Sequence, residues 1–328
     1  MTWDMLGHEW AVEFLRDQIA RGAQRHAYLI TGPEGIGRRT LALRLAEALN
    51  CPNPPTLGIP CRTCRSCRQF DEMRHPDLAV VQASQAGGVL KVDQVRELQH
   101  RLSLVPYEAR YRIAMFLRFE EANASAANAL LKTLEEPPPQ VVLVLTAESA
   151  ERLMPTIVSR CEVLRLRSLP LQILRQALEA RWGFSPEQAR LLAHISGGRP
   201  GVALRLQQQP ERLTQRQGWL DDQARLLESS RVERFAYAES LAKDKAQLRA
   251  ALITWLSFWR DVMLQAGGSA APLANPDRQA EIQRLGIQLG LNSAHQAVSA
   301  VERTLLQLER NVNPRLALEV LLLDLPHA

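Results

Sequence analysis

The chain of 328 residues is long enough for two or three domains. Hydrophobic residues (46%) and charged residues (23%) have the balance of a globular protein, and no apolar run reaches the roughly 20 residues that span a bilayer. The N-terminal segment carries acidic residues and lacks the basic region of a secretory signal, so we expect a cytoplasmic protein without a membrane segment. The net charge of +5 permits contact with nucleic acid without requiring it.

Apolar stretches of strand length alternate with helical periodicity over the first 167 residues. The predicted helices cover 10–21, 40–50, 92–104 (with Asp93 as its N-cap) and 123–136, which Pro137 ends. The predicted strands cover 26–31, 111–119, 140–148 and 162–167. Because alternating buried strands and helices are typical of a parallel, doubly wound sheet, the sequence predicts an α/β domain.

The strand signals end after Pro170. Short helices with a turn at 196–201 are predicted up to residue 208, and the remainder is predicted to be helical, with a loop at 266–276. We therefore predict three domains: an α/β domain at 1–167 with a module inserted at about 50–76, a small helical lid at 168–208, and an all-α C-terminal domain at 209–328.

A Gly-rich segment between the first predicted strand and the next helix is a near-match to the phosphate loop GxxxxGK[ST]. Its candidate nucleotide-binding residues are Gly32, Gly35, Gly37, Arg38 and Arg39. Arg38 stands at the Lys position and Arg39 at the hydroxyl position, and Thr40 is turned away by about 100° because it lies one step further along the helix. We expect a degenerate loop that does not bind ATP or Mg²⁺ productively; a plain Gly-rich turn, or two arginines holding an anion, are the alternatives.

Hydrolysis also needs a carboxylate at the end of a neighbouring strand to hold Mg²⁺. The predicted strand at 111–119 has Leu117 and Arg118 near its end, and an acidic pair, Glu120 and Glu121, follows. We interpret that pair as charges at the start of the next helix, where the helix dipole favours them. The alternative is that they serve as catalytic acids.

Four cysteines follow the spacing C-x9-C-x2-C-x2-C: Cys51, Cys61, Cys64 and Cys67. Four thiolates complete the tetrahedral coordination of Zn²⁺ and leave no position for water, so the pattern indicates a structural zinc site. An iron–sulfur cluster or free thiols are the alternatives. Cys161 lies far away in the sequence and is predicted to pack in the core.

Several segments together resemble the clamp-loader branch of the AAA+ ATPases: NALLKTLEEPP (128–138), PTIVSRC (155–161), KVDQVREL (91–98), RHPD (74–77) and the cysteine cluster. The resemblance covers the first 205 residues strongly, whereas the C-terminal third matches only in being helical. It implies a RecA-like AAA+ domain followed by a lid and a C-terminal oligomerisation collar, with zinc in the inserted module.

Within that family, the active gamma/tau subunits carry an acidic pair where this chain has Leu117 and Arg118, counted back from Asn128. The arginine of their lid is replaced by Gly201. With the altered phosphate loop, three ATPase elements are lost together. This combination resembles the delta-prime branch of the DNA polymerase III clamp loader, whose members are comparatively rigid stators without ATP hydrolysis.

One functional element of the family remains intact in the tripeptide Ser159-Arg160-Cys161. The resemblance implies that Arg160, next to Ser159, acts in trans as an arginine finger in the neighbouring subunit's ATP site; an ordinary surface arginine is the alternative. The implied partners are gamma/tau and delta subunits in a hetero-pentamer, which loads the beta sliding clamp onto primed DNA. An active ATPase that uses Arg38 and the acids near residue 120, or a DNA-binding factor with a borrowed fold, are the competing functions.

Overall fold

The computed structural model describes residues 3–85, 87–310 and 312–326, and the chain divides into two compact units. The N-terminal unit runs to Pro170 and also includes Arg199–Val202. The C-terminal unit contains Leu171–Gly198 and the chain from Ala203 onward. The predicted division of the helical part into a lid at 168–208 and a domain at 209–328 stays a prediction.

A five-stranded parallel sheet forms the centre of the N-terminal unit, with the strand order β2-β3-β4-β1-β5. The strands are β1 Ala27–Thr31, β2 Leu78–Val81, β3 Arg112–Phe116, β4 Val141–Ala147 and β5 Glu162–Arg165. The predicted α/β class with a parallel sheet is confirmed. The sequence prediction missed β2, which has only four residues, pairs with β3 alone and forms an edge of the sheet.

Helices cover both faces of this sheet because successive strand residues point to opposite sides. On one face Tyr28 and Ile30 share a core with the first two helices, and on the other Leu29 and Phe116 share a core with the fourth and fifth. The helices are α1 Glu9–Ala20, α2 Arg38–Asn50, α3 Arg65–Asp71, α4 Val92–Leu102, α5 Ala124–Glu135 and α6 Pro155–Val158. The prediction that Asp93 caps α4 is wrong: Lys91 is the N-cap residue, and its N–H is bound by the Gln94 side chain at 3.0 Å.

A buried carboxylate, that of Asp77 just before β2, fixes the loop that leads into β3. It accepts backbone N–H groups of Tyr107, Glu108 and Ala109 at 2.7, 2.9 and 2.9 Å, and it pairs with Arg112 at 3.2 Å. Burial alone would raise the pKa of Asp77, but these N–H donors and Arg112 outweigh burial and lower it. The RHPD segment therefore has a structural role in this loop.

We expect Asp77→Ala to lower the free energy of unfolding by about 3 kcal/mol at neutral pH, since three N–H groups and a guanidinium lose their acceptor. Because the folded-state pKa lies below the unfolded value of about 4, Asp77 stabilises the fold above that pH and less as the pH falls further. Urea unfolding between pH 7 and pH 3 should show the defect shrinking below about pH 4. Asp93→Ala, in the exposed first turn of α4, is the control; an equal loss there would contradict the assignment.

The described residues of the C-terminal unit form helices and connecting loops and contain no strand, in agreement with the predicted all-α class. The helices from residue 171 onward are α7 Leu171–Trp182, α8 Pro186–Ile195, α9 Pro200–Gln208, α10 Pro210–Glu228, α11 Arg231–Leu241, α12 Lys245–Ala266, α13 Gln279–Glu309 and α14 Pro314–Asp324. The first three residues of α9 belong to the N-terminal unit. Trp255, Phe258 and Trp259 of α12 fill the core of the C-terminal unit, and the loop predicted at 266–276 connects α12 to a short turn before α13. Within the described part of the chain, no helix is both long and apolar enough to cross a membrane.

Candidate functional sites

The Gly-rich loop joins β1 to α2, and its glycines adopt backbone angles that other residues disfavour. Gly32, Gly35 and Gly37 have φ angles of 146°, 78° and 110°, and Gly37 is the N-cap residue of α2. A Cβ on Gly32 would lie 2.6 Å from the carbonyl oxygen of Leu166, so this position requires glycine. The conformation of this loop therefore depends on its glycines.

The arginine at the Lys position points into the protein. The Arg38 side chain is only 9% exposed, and its Nη1 lies 4.0 Å from Oε1 of Glu120. Burial lowers the pKa of Arg38, and the nearby carboxylates of Glu120, Glu148 and Glu34 oppose that shift. Arg39 and Thr40 are exposed, so the structure does not bring the two arginines together around one anion.

The acidic pair lies ahead of α5 and not in its first turn. Glu120 and Glu121 belong to a short 3-10 turn, Phe119–Glu121, and the N-cap of α5 is Asn123, whose side chain accepts the N–H of Ala126 at 2.8 Å. The interpretation of the pair as charges at the helix start is therefore wrong. Glu120 faces Arg38 and accepts the N–H of Glu148 at 3.2 Å.

The Glu121 carboxylate also accepts hydrogen bonds from the chain itself. Its Oε1 accepts Nε of Arg118 at 2.8 Å and the N–H of Gly87 at 2.7 Å. Leu117 is buried, and Arg118 adopts a left-handed backbone with φ 53°. The two positions where the sequence resemblance predicts metal-binding acids in active members thus hold an apolar residue and a cation.

Gly201, which the sequence resemblance predicts to stand in place of a lid arginine, packs directly on the Gly-rich loop. Its N–H donates to the carbonyl oxygen of Gly35 at 2.8 Å. A Cβ on Gly201 would come within 2.9 Å of that same oxygen, so a side chain at this position would displace the loop. Both residues belong to the N-terminal unit.

Arg160 lies on the surface between α6 and β5, and its side chain is 34% exposed. Its Nη2 lies 2.6 Å from Oε1 of Glu135, and its Nη1 donates to the carbonyl oxygen of Thr156 at 2.9 Å. The Ser159 hydroxyl donates to the same oxygen at 3.2 Å and lies 3.4 Å from Nη1. Glu135 stands in the NALLKTLEEPP segment that carries the resemblance, but its contact with Arg160 is not apparent from the sequence because the two residues are 25 positions apart.

The four predicted metal ligands converge: the Sγ atoms of Cys51, Cys61, Cys64 and Cys67 all lie within 4.8 Å of one another. Cys51 follows α2, Cys64 is the N-cap of α3, and Cys67 lies in the first turn of α3. Backbone N–H groups point at three of the sulfurs: Cys61 to Cys51 at 3.4 Å, Cys64 to Cys61 at 3.3 Å, and Cys67 to Cys64 at 3.4 Å. Four converging sulfurs with N–H donors suit a tetrahedral thiolate-bound ion.

The thiols differ in acidity. Burial raises the pKa of Cys51 and of Cys67. Burial also acts to raise the pKa of Cys61, but the N–H groups of Cys64 and Thr63 outweigh it and lower the value to about 6. Cys161 packs against the apolar core on the α4–α5 face of the sheet, where burial raises its pKa to about 12, and it lies outside the cluster, as predicted.

The strand–glycine loop–helix unit within a five-stranded parallel sheet places the N-terminal unit in the class of α/β domains with a P-loop-type strand–loop–helix motif. The model of the family described as DNA polymerase III, delta subunit, matches residues 7–170, and that of its C-terminal region matches residues 210–327. The chain belongs to the DNA polymerase III delta-subunit family. The match covers both the sheet and most of the helical region, so the family assignment does not depend on the loop alone.

Individual relatives of this chain are also DNA polymerase III subunits. DNA polymerase III subunit delta' of Bacillus subtilis is 29% identical over 318 residues, which cover 96% of this chain and 94% of that protein. Subunit delta' of Pseudomonas aeruginosa is 39% identical over 191 residues, 57% of each chain. DNA polymerase III subunit tau of Escherichia coli is 32% identical over 211 residues, covering 63% of this chain and 32% of tau.

Proposed function

We propose that this chain is the delta-prime, stator-type subunit of a DNA polymerase III clamp loader, and that it supplies Arg160 to a neighbouring subunit's ATP site without hydrolysing ATP itself. The observation that carries the proposal is the contrast between two arginines. Arg38, in the chain's own loop, is buried beside Glu120, whereas Arg160 is exposed at the surface. The cation at the Lys position of the chain's own loop is thus buried, whereas the guanidinium of Arg160 lies at the surface.

Electrostatics argue against hydrolysis at the chain's own loop. A bound triphosphate would compete with Glu120 for Arg38 and would meet the like charge of that carboxylate. No hydroxyl stands at the position that binds Mg²⁺, and Arg118 occupies one position of the metal-binding acids. Gly201 contacts the loop through its backbone N–H and offers no guanidinium for a phosphate.

The purified chain alone is therefore expected to show no Mg²⁺-dependent ATP turnover above background, with or without primed DNA. Phosphate release should be measured beside a gamma/tau preparation as the positive control. Glu120→Gln frees Arg38 of its counter-ion but supplies neither the hydroxyl nor the acid, so it should remain inactive as well. Clear turnover that Arg38→Ala abolishes would contradict the proposal and favour an active ATPase with an unusual loop.

The chemistry of Arg160 suits a trans-acting finger. A guanidinium keeps its charge at every physiological pH and presents a planar fork of N–H donors to phosphate oxygens. Such a residue stabilises the charge that develops during phosphoryl transfer and excludes water from the site. Ser159 shares the Thr156 carbonyl with Arg160 and helps to orient its side chain.

In this function, the partners are gamma/tau and delta subunits in a hetero-pentamer, which places the beta sliding clamp on primed DNA in the cytoplasm. The matches to delta', gamma and tau proteins support this assignment. Residues 168–208 would act as the lid and residues 209–328 as the collar that holds the ring together. A rigid, non-hydrolysing subunit gives the moving subunits a fixed reference.

The cysteine cluster is assigned to structural Zn²⁺. The four thiolates of Cys51, Cys61, Cys64 and Cys67 would hold the ion, and with four protein ligands no position remains for a reactive water. The ion's role is then to order the segment between α2 and β2, which has few apolar residues of its own. No step of ATP hydrolysis depends on it.

A further inference from the structure

The guanidinium of Arg160 is already engaged by its own chain. Its two terminal nitrogens, the pair that normally makes a forked contact with phosphate, bind Glu135 at 2.6 Å and the Thr156 carbonyl at 2.9 Å. A phosphate that makes a forked contact with both terminal nitrogens of Arg160 competes with these acceptors. Of the two, only Glu135 carries a full negative charge, so Glu135 is the direct competitor of the phosphate.

Glu135 occupies a position where a carboxylate has no local advantage. It is the last residue of α5, and the dipole of a helix disfavours negative charge at its C-terminal end. Within the described residues the Glu135 side chain is half exposed and forms no ion pair other than that with Arg160. The contact with Arg160 is thus the one ion pair that Glu135 makes within the described residues.

We propose that Glu135 is a positioning residue that holds Arg160 in a parked orientation, from which the arginine must be released to reach the neighbour's γ-phosphate. This inference rests on the proposed function of Arg160. An exposed ion pair of this kind is weak, so it is readily exchanged for a nucleotide phosphate once the subunits are assembled. The ion pair lowers the fraction of molecules in which Arg160 is free to contact the neighbour's phosphate, but it does not block ATP hydrolysis.

The size of the effect follows from the strength of exposed ion pairs. Exposed ion pairs usually contribute about 0.2 to 1 kcal/mol, which corresponds to about 1.4 to 5 molecules with Arg160 paired to Glu135 for each molecule with Arg160 free. The apparent affinity of the site for ATP falls in proportion to the fraction of molecules in which Arg160 is free. Removing the Glu135 carboxylate should therefore raise the rate of ATP hydrolysis about two- to sixfold at low ATP concentration. A merely structural role would instead lower activity, because a destabilised subunit does not gain function.

The test uses the complex reconstituted with gamma/tau and delta subunits, the clamp and primed DNA. The gamma/tau subunits carry substitutions of their own corresponding arginines, so that Arg160 serves the remaining active site. In Glu135→Gln, hydrolysis at subsaturating ATP is expected to rise about two- to sixfold, with little change at saturation. Glu136→Gln, which changes the adjacent exposed carboxylate, should leave the rate unchanged.

Combining substitutions separates the two proposals. If Glu135 acts through Arg160, adding Glu135→Gln to Arg160→Ala does not change the rate of ATP hydrolysis. An unchanged or lower rate in Glu135→Gln, with Arg160→Ala strongly impaired, overturns the parking role and leaves the finger standing. A gain that persists in the double variant also overturns it. If Arg160→Ala is itself without effect, the proposed function of Arg160 fails, whatever Glu135→Gln does.

Discussion

Arg160→Ala should slow ATP hydrolysis at the neighbouring gamma/tau site by about 10³-fold or more, the range that arginine fingers contribute to phosphoryl transfer. This loss corresponds to about 4 kcal/mol of transition-state stabilisation. The reason is that no other cation of this chain is proposed to reach that phosphate, and an alanine leaves its developing charge unbalanced. The variant subunit itself should fold normally, because the side chain is surface-exposed and its ion pair with Glu135 is weak.

The measurement is DNA-stimulated hydrolysis by the same reconstituted complex, in which only the site served by Arg160 is active. Arg160→Lys should recover a small part of the rate, since an ammonium supplies the charge but not the planar fork. Arg165→Ala is a matched control because Arg165 is more exposed and pairs with Glu151 at 3.7 Å. A rate in Arg160→Ala equal to that of the unmodified complex would show that Arg160 is an ordinary surface residue.

Cys61→Ala is expected to abolish stoichiometric zinc binding and to cost about 5 kcal/mol or more of folding free energy in the N-terminal unit. Structural zinc contributes about 10 to 16 kcal/mol in small isolated modules, and part of that is retained here through contacts with the rest of the unit. Those contacts include the bond from the Trp3 indole to the Gly58 carbonyl at 2.8 Å and the pair of Arg44 with Asp71 at 2.8 Å. We therefore expect the module to loosen before the sheet unfolds.

Zinc content per chain by plasma mass spectrometry, together with thermal unfolding, provides the readout. Cys161→Ala is the matched control: it removes a thiol that packs on the apolar core, so it should keep one zinc per chain. Retention of full zinc in Cys61→Ala would exclude Cys61 as a ligand. Iron content and visible absorption in the unmodified protein would show that the four cysteines hold an iron–sulfur cluster instead of zinc.

Some features follow from the sequence alone because their signals are local. The alternation of apolar strands and amphipathic helices requires only a few residues to be recognised, and it predicted the parallel sheet and the change to helices after Pro170. The close spacing of the cysteines predicted a cluster, since ligands two residues apart are brought together by almost any turn. The segment from 128 to 138 predicted both the helix α5 and its end at Pro137.

Other features depend on which distant segments meet, and only the tertiary structure decided them. Strand β2 escaped prediction because four residues give no periodicity, and pairing with β3 is what stabilises them. Glu120 lies 82 positions from Arg38, so its character as a counter-ion rather than a helix-start charge could not be seen in the sequence. Arg160 likewise meets Glu135 only because the chain between α5 and β5 turns back on itself. The sequence by itself determined that Arg160 belongs to a known motif; the fold decided which carboxylate holds it, because ion pairs form by proximity in space.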